Sequence, residues 1–133
     1  MTRRTASCSC GQLRVTCEGE PGRISICHCL DCQRRTGSIF GMQARFAAKQ
    51  VEVAGVSTSW TRQGDSGSSS TFHSCPRCSA TVYWQPDGAP ELVYVAVGAF
   101  ADPTFPPPRV SVYEERRHGW AGRMDDLPIV HEA

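Results

Sequence analysis

The cysteines constrain this chain more than any other feature in it. Eight are present, Cys8, Cys10, Cys17, Cys27, Cys29, Cys32, Cys75 and Cys78, and all but Cys17 lie in C-x-C or C-x-x-C spacing. A C-x-C pair cannot readily close on itself, because so short a disulfide ring is strained. The same spacing on a tight turn aims two sulfurs at one point, as a tetrahedral metal site requires. Whatever elements form must therefore present these residues on turns and bring the turns together.

The redox compartment decides between metal and disulfide. The segment Met1 to Gly11, MTRRTASCSCG, has Arg3 and Arg4 but no apolar stretch behind them, so neither an ordinary nor a twin-arginine signal is expected. No apolar run approaches the ~20 residues that cross a bilayer. A cytoplasmic, reducing location follows as the expectation, with thiols free to bind metal. At 133 residues, one zinc-binding domain spanning 1–133 is expected, long enough to bury its own core. Fourteen Lys and Arg against thirteen Asp and Glu leave +1. So small a net charge creates no field for a nucleic acid or an anionic membrane, and neither partner is expected.

Short alternating or β-branched segments predict strands at Leu13–Cys17, Ile24–Cys27, Met42–Phe46, Val51–Val53, Thr81–Gln85, Leu92–Ala99 and Val110–Tyr113. Turn clusters separate them, among them Glu18–Gly22, Pro86–Pro90 and Asp102–Pro108. Gln63–Ser70, QGDSGSSS, reads as a solvated hairpin loop without chemistry, since it has no apolar face. One helical turn or two is predicted over Leu30–Thr36, closed by Gly37. The fold class is therefore all-β. The tail from Glu114 is less regular, with Trp120 and Leu127–Val130 expected to pack on the body.

Seven cysteines divide into two sets. Cys8, Cys10, Cys75 and Cys78 offer four thiolates on two short turns, the number a closed structural zinc takes; free buried cysteines in a small core are the alternative. Cys27, Cys29 and Cys32 offer three with no evident fourth, the pattern of a catalytic zinc that keeps one position for water or substrate. Cys17, His28 or His73 could close that site. Against this, Cys17 ends a strand where a small apolar filler is usual, and His28 lies between two ligands and should point away from them.

The order C-x-C-G at Cys8–Gly11, EGEPGR at Glu18–Arg23, C-H-C-x-D-C-x-R-x-x-G at Cys27–Gly37 and C-x-x-C at Cys75–Cys78 resembles the glutathione-dependent formaldehyde-activating enzyme family. Weaker echoes run through Val93–Phe100, Val110–Tyr113, Trp120 and Leu127–Pro128. Ser9 stands where the family often has histidine, and Ser79 where glycine commonly follows the last cysteine, so a left-handed residue there would carry a Cβ penalty. The resemblance implies a zinc β-tent fold of the kind seen in certain Rab exchange factors. It also implies a structural zinc on Cys8, Cys10, Cys75 and Cys78 and a catalytic zinc on Cys27, Cys29 and Cys32. The implied activity is carbon–sulfur lyase chemistry on S-(hydroxymethyl)glutathione, formed from glutathione and formaldehyde.

An open three-thiolate zinc can bind a further thiol and draw off its proton, giving a nucleophile that adds to an aldehyde. Asp31 and His28 lie close enough in sequence to handle the proton, although Asp31 equally suits the cap of the short helix. Arg34 or Arg35 could hold a carboxylate of a glutathione-like peptide, against the plainer reading of a solvated helix face; at most one should face the site, since adjacent helical residues diverge by about 100°. A protein adaptor with two structural zincs is the alternative function. The βαβ setting of a thioredoxin-like C-x-x-C is not visible.

Overall fold

The structure is a computed structural model and describes residues 1–64 and 66–132. Among the described residues, ten strands and one α-helix follow in the order β1 Arg3–Ser7, β2 Arg14–Glu18, β3 Arg23–Cys27, α1 Leu30–Thr36, β4 Gly41–Ala47, β5 Val51–Ala54, β6 Thr58–Gln63, β7 Ser69–Ser74, β8 Thr81–Pro86, β9 Leu92–Ala96 and β10 Val110–Val112. The chain is mostly β, as expected. A three-stranded sheet has the order β1-β2-β5, and a seven-stranded sheet the order β10-β3-β4-β9-β8-β7-β6. Every pairing is antiparallel except that of β10 with β3.

The core joins the two sheets. Ala6, Leu13, Val15 and Cys17, from β1, β2 and the turn between them, are fully buried with Ala44, Phe46, Val82, Val93 and Val95 of the larger sheet. Alternation explains which residues these are. In β2, Val15 and Cys17 turn inward while Arg14 and Glu18 face solvent, and in β9, Val93 and Val95 do the same. In β3 the parity favours the other face: Ser25 and Cys27 are buried there. Val82, Tyr83 and Trp84 of β8 are buried consecutively, so both faces of the larger sheet are covered at that strand.

Helix α1 has the predicted bounds, with Gly37 at φ 70° as its left-handed cap and its N–H on the Gln33 carbonyl at 2.8 Å. Three strands fall outside the expectations: RRTAS of β1, TSWTRQ of β6 and SSTFHS of β7. All are polar; β1 and β6 lie at sheet edges, where one side meets water and alternation fades. The predicted loop over Gln63–Ser70 is correspondingly shorter, because Gln63, Ser69 and Ser70 pair in the β6–β7 hairpin; Asp65 lies outside the described residues. The strand expected over Leu92–Ala99 stops at Ala96 and continues as a 3-10 turn, Val97–Phe100, which buries Phe100. Tyr113, expected in the last strand, takes a left-handed conformation just after it. The tail runs through 3-10 turns and is tied to α1 by Gln33, whose Nε2 donates to the Arg116 carbonyl at 3.1 Å and whose Oε1 lies 3.0 Å from His118 Nε2. Leu127 is half-buried, whereas Ile129 and Val130 are exposed.

Candidate metal centres and the adjoining cleft

Two similar turns build the first cysteine group. After β1, the Cys8 carbonyl accepts from Gly11 N at 3.1 Å and Cys8 N donates to Leu13 O at 2.9 Å. After β7, the Cys75 carbonyl accepts from Ser79 N at 2.8 Å and Cys75 N donates to Ala80 O at 3.0 Å. Ser79 is left-handed at φ 69° despite its Cβ. The four sulfurs lie within 4.8 Å of one another, with Cys8–Cys10 and Cys10–Cys75 each at 3.7 Å. A zinc tetrahedron with arms of ~2.3 Å has edges of ~3.8 Å, so the donor set fits the ion. Backbone N–H groups of Leu13 and Arg77 approach Cys8 and Cys75 Sγ at 3.3 Å, and Gln12 Nε2 approaches Cys75 Sγ at 3.1 Å. Burial opposes ionisation of Cys75, but hydrogen bonds from Cys78 N, the Gln12 side chain and Arg77 N bring its thiol down to about 6.

The second group forms where β3 ends and α1 begins. Cys27 is the last residue of the strand, Cys29 caps the helix with its sulfur taking Cys32 N at 3.3 Å, and Cys32 lies in the first turn. All three are buried and their sulfurs lie within 4.8 Å of one another. A hydrogen bond from the Cys32 thiol, helped by Cys29 N–H and the charge of Arg62, lowers Cys27 to about 6, and the same bond pushes the Cys32 thiol up. The bond thus places one charge on Cys27 and resists a second on Cys32, while the three sulfur donors suit the same ion as the first group.

No fourth His, Cys, Asp or Glu donor joins this group among the described residues. Cys17 packs in the core between the sheets, its thiol pushed up to about 12 by burial. His28 points away: its Nε2 lies 3.1 Å from Ser111 Oγ and its ring meets Phe40 edge-on. His73 stacks on Tyr83 and places Nδ1 3.1 Å from Ser57 Oγ. Asp31 lies between two guanidiniums, with Oδ2 3.1 Å from Arg62 Nη1 and Oδ1 3.6 Å from Arg34 Nη1. The Arg34 side chain is 76% exposed. Arg35 lays its guanidinium over Trp84 at 4.4 Å and Phe72 at 5.6 Å. Both arginines line a cleft of about 410 Å³ with Asp31, Arg62 and Trp60, where at most one was expected to face a site.

Cys27 opens onto a second cleft, of about 340 Å³. Its floor is one face of the larger sheet, and strand register explains its membership. Arg23, Arg45, Tyr94, Trp84, Phe72 and Trp60 stand opposite one another across successive strands, so they share a face with Cys27, Ser25, Gln43 and Arg62, each an even number of residues along. Arg23, Ser25, Gln43, Tyr94 and Arg62 line the cleft, and Gln43 Oε1 is buried there without a partner. Gly64, Ser66 and Ser68 of the serine-rich loop, read from sequence as a solvated hairpin loop without chemistry, form part of its wall. Neither Arg23, Gln43 nor Arg62 was identified from sequence, and only their strand parity could have pointed to them.

No curated protein matches the chain. A crystal structure of a Rhodobacter sphaeroides protein, a structural genomics target, is similar, with a TM-score of 0.57 at 20% identity over 80% of this chain and 97% of that one. At that identity the likeness concerns the fold alone. The sequence model of the family described as "Glutathione-dependent formaldehyde-activating enzyme" matches residues 3–116, which contain both cysteine groups and every strand. By that match, the chain belongs to the glutathione-dependent formaldehyde-activating enzyme family.

Proposed function

We propose that this protein is a zinc-dependent carbon–sulfur lyase that joins glutathione and formaldehyde as S-(hydroxymethyl)glutathione and reverses the reaction. The observation that carries the reading is the three-thiolate group of Cys27, Cys29 and Cys32, short of a fourth donor among the described residues and open to a cleft, beside a four-thiolate group that needs none. We assign the four-thiolate group a structural zinc, the three-thiolate group a catalytic one, the two-sheet arrangement to the zinc β-tent, residues 1–133 to one domain and the protein to the cytoplasm. When bound at the open group, zinc supplies a positive centre that favours the thiolate form of an incoming thiol.

The chain's own residues hold the partners. In condensation the sulfur lone pair forms the S–C bond, the carbonyl π bond breaks towards oxygen, and the thiol proton ends on that oxygen; nothing is oxidised. Holding both reactants in one cleft removes much of the entropic barrier. Gln43 Oε1, unpartnered in the cleft, suits an amide N–H of a peptide thiol. Three arginines suit its carboxylates: Arg34 and Arg35 in the adjoining cleft, and Arg23 four residues from Cys27 along β3, ~13 Å at the usual strand rise.

Glutathione added to the cobalt-substituted protein tests the reading. A new thiolate-to-cobalt absorption, absent with oxidised glutathione, is expected, together with faster approach to the hemithioacetal equilibrium by exchange spectroscopy at an unchanged equilibrium position. Thiol entry without acceleration moves the activity to another carbonyl compound. No entry by any small thiol favours an adaptor with two structural zincs.

A further inference from the structure

The guanidinium that hydrogen-bonds the three-thiolate group comes from neither Arg34 nor Arg35 but from β6. Arg62 Nη2 lies 3.8 Å from Cys32 Sγ, within hydrogen-bond reach of a sulfur. Two other contacts hold it there: Nη1 lies 3.1 Å from Asp31 Oδ2 as a charge pair without hydrogen-bond geometry, and the guanidinium carbon lies 4.6 Å from the centre of the Phe72 ring. Its side chain is 21% exposed although β6 is an edge strand whose other residues face solvent. A long cation restrained on three sides is ordered for something besides solubility.

We propose that Arg62 is a positioning residue for the Cys27, Cys29 and Cys32 centre, supplying from outside the ligand shell the positive charge that a tris-thiolate metal site lacks. The proposal rests on the reading that this group holds a divalent metal. Three thiolates around such an ion leave one net negative charge, and a fourth thiolate would leave two. Burial makes that excess costly unless a cation faces it. Arginine suits the place because its planar fork can pair its charge with a carboxylate on one side and donate to a sulfur on the other while stacking on an aromatic ring. The N–H···S bond withdraws electron density from Cys32, and Asp31, paired with Arg62, serves as the anchor of that bond. Such outer partners commonly change metal affinity by about 10–100-fold when removed.

Cobalt(II) titration of the full chain tests this, with the four-thiolate site as internal control, since its ligands make no contact with Arg62. Arg62→Gln is expected to fold with one site unchanged and the other weakened by about 10–100-fold. Its sulfur-to-cobalt charge-transfer band should move to longer wavelength, because the unbonded sulfur becomes a stronger donor. Arg62→Lys keeps the charge and should recover part of the affinity. Asp31→Asn, which frees the guanidinium without removing it, should move both readouts the same way by less. Wild-type affinity and band position in folded Arg62→Gln overturn the proposal; if that variant does not fold, wild-type values in Asp31→Asn do so. A wild-type chain that takes a single cobalt overturns the metal reading and this proposal together. Two cobalts of which the second ignores thiols, with Arg62→Gln still weakened, support Arg62 while removing the proposed reaction.

Discussion

Serine at Cys75 and serine at Cys32 should affect the molecule very differently. Cys75 is 1% exposed and belongs to a group that ties two turns whose cysteines are 65 residues apart. Treating that tie as a cross-link, chain entropy for a loop of this length gives ~4 kcal/mol at 25 °C. Cys27, Cys29 and Cys32 span one strand end and one helical turn, and the same relation gives only ~2 kcal/mol for so short a loop. Against a typical total of about 5–15 kcal/mol, the first loss removes a large share of stability. At about 3–5 °C per kcal/mol for a chain of this size, Cys75→Ser should melt about 10–20 °C lower than wild type, and Cys32→Ser about half as much. The assay is thermal unfolding of the zinc-loaded proteins with metal content measured on the same samples: each variant should lose one zinc, Cys32→Ser keeping its fold. Equal melting losses would refute the division of labour, because the three-thiolate group would then be as much a part of the scaffold as the four-thiolate one.

Ser79 holds φ 69° at the second cysteine turn, a conformation that penalises a Cβ by about 1–2 kcal/mol. Ser79→Gly should therefore stabilise by about 0.5–1 kcal/mol after the extra flexibility of glycine in the unfolded chain is subtracted, and an unchanged or lower melting temperature would show that the turn bears no strain. Cys17, raised to about 12 by burial, favours folding while its thiol is neutral. Its folded pKa exceeds the ordinary thiol value, so the contribution is complete below about pH 9 and is lost as pH rises towards 12. Wild type should consequently lose more stability than Cys17→Ala between pH 8.5 and 10.5, roughly the onset of thiol ionisation; parallel losses in denaturant titrations would contradict this.

The cysteine groups and α1 were legible because their chemistry is local. Spacings of two and three residues decide which sulfurs can share an ion, and a glycine after a short polar run decides where a helix stops. The inward strands β2, β3, β4 and β9 were legible because one buried face imposes alternation, and β8 because it is a run of β-branched and aromatic residues. Polar β6 and β7 carry no such pattern, and they hold Arg62, Phe72 and the serine loop that walls the cleft. Sequence alone thus determined the candidate ligands within each turn, since turn geometry depends only on near neighbours, whereas the meeting of Cys8 and Cys10 with Cys75 and Cys78 was decided by tertiary structure. Which arginine faces Cys32 was decided by tertiary structure: the β6–β7–β8–β9–β4–β3 register brings Arg62, Phe72, Trp84, Tyr94, Gln43 and Cys27 onto one face. A pairing register is a relation between distant strands, set by the packing of the whole sheet, and no segment read by itself contains it.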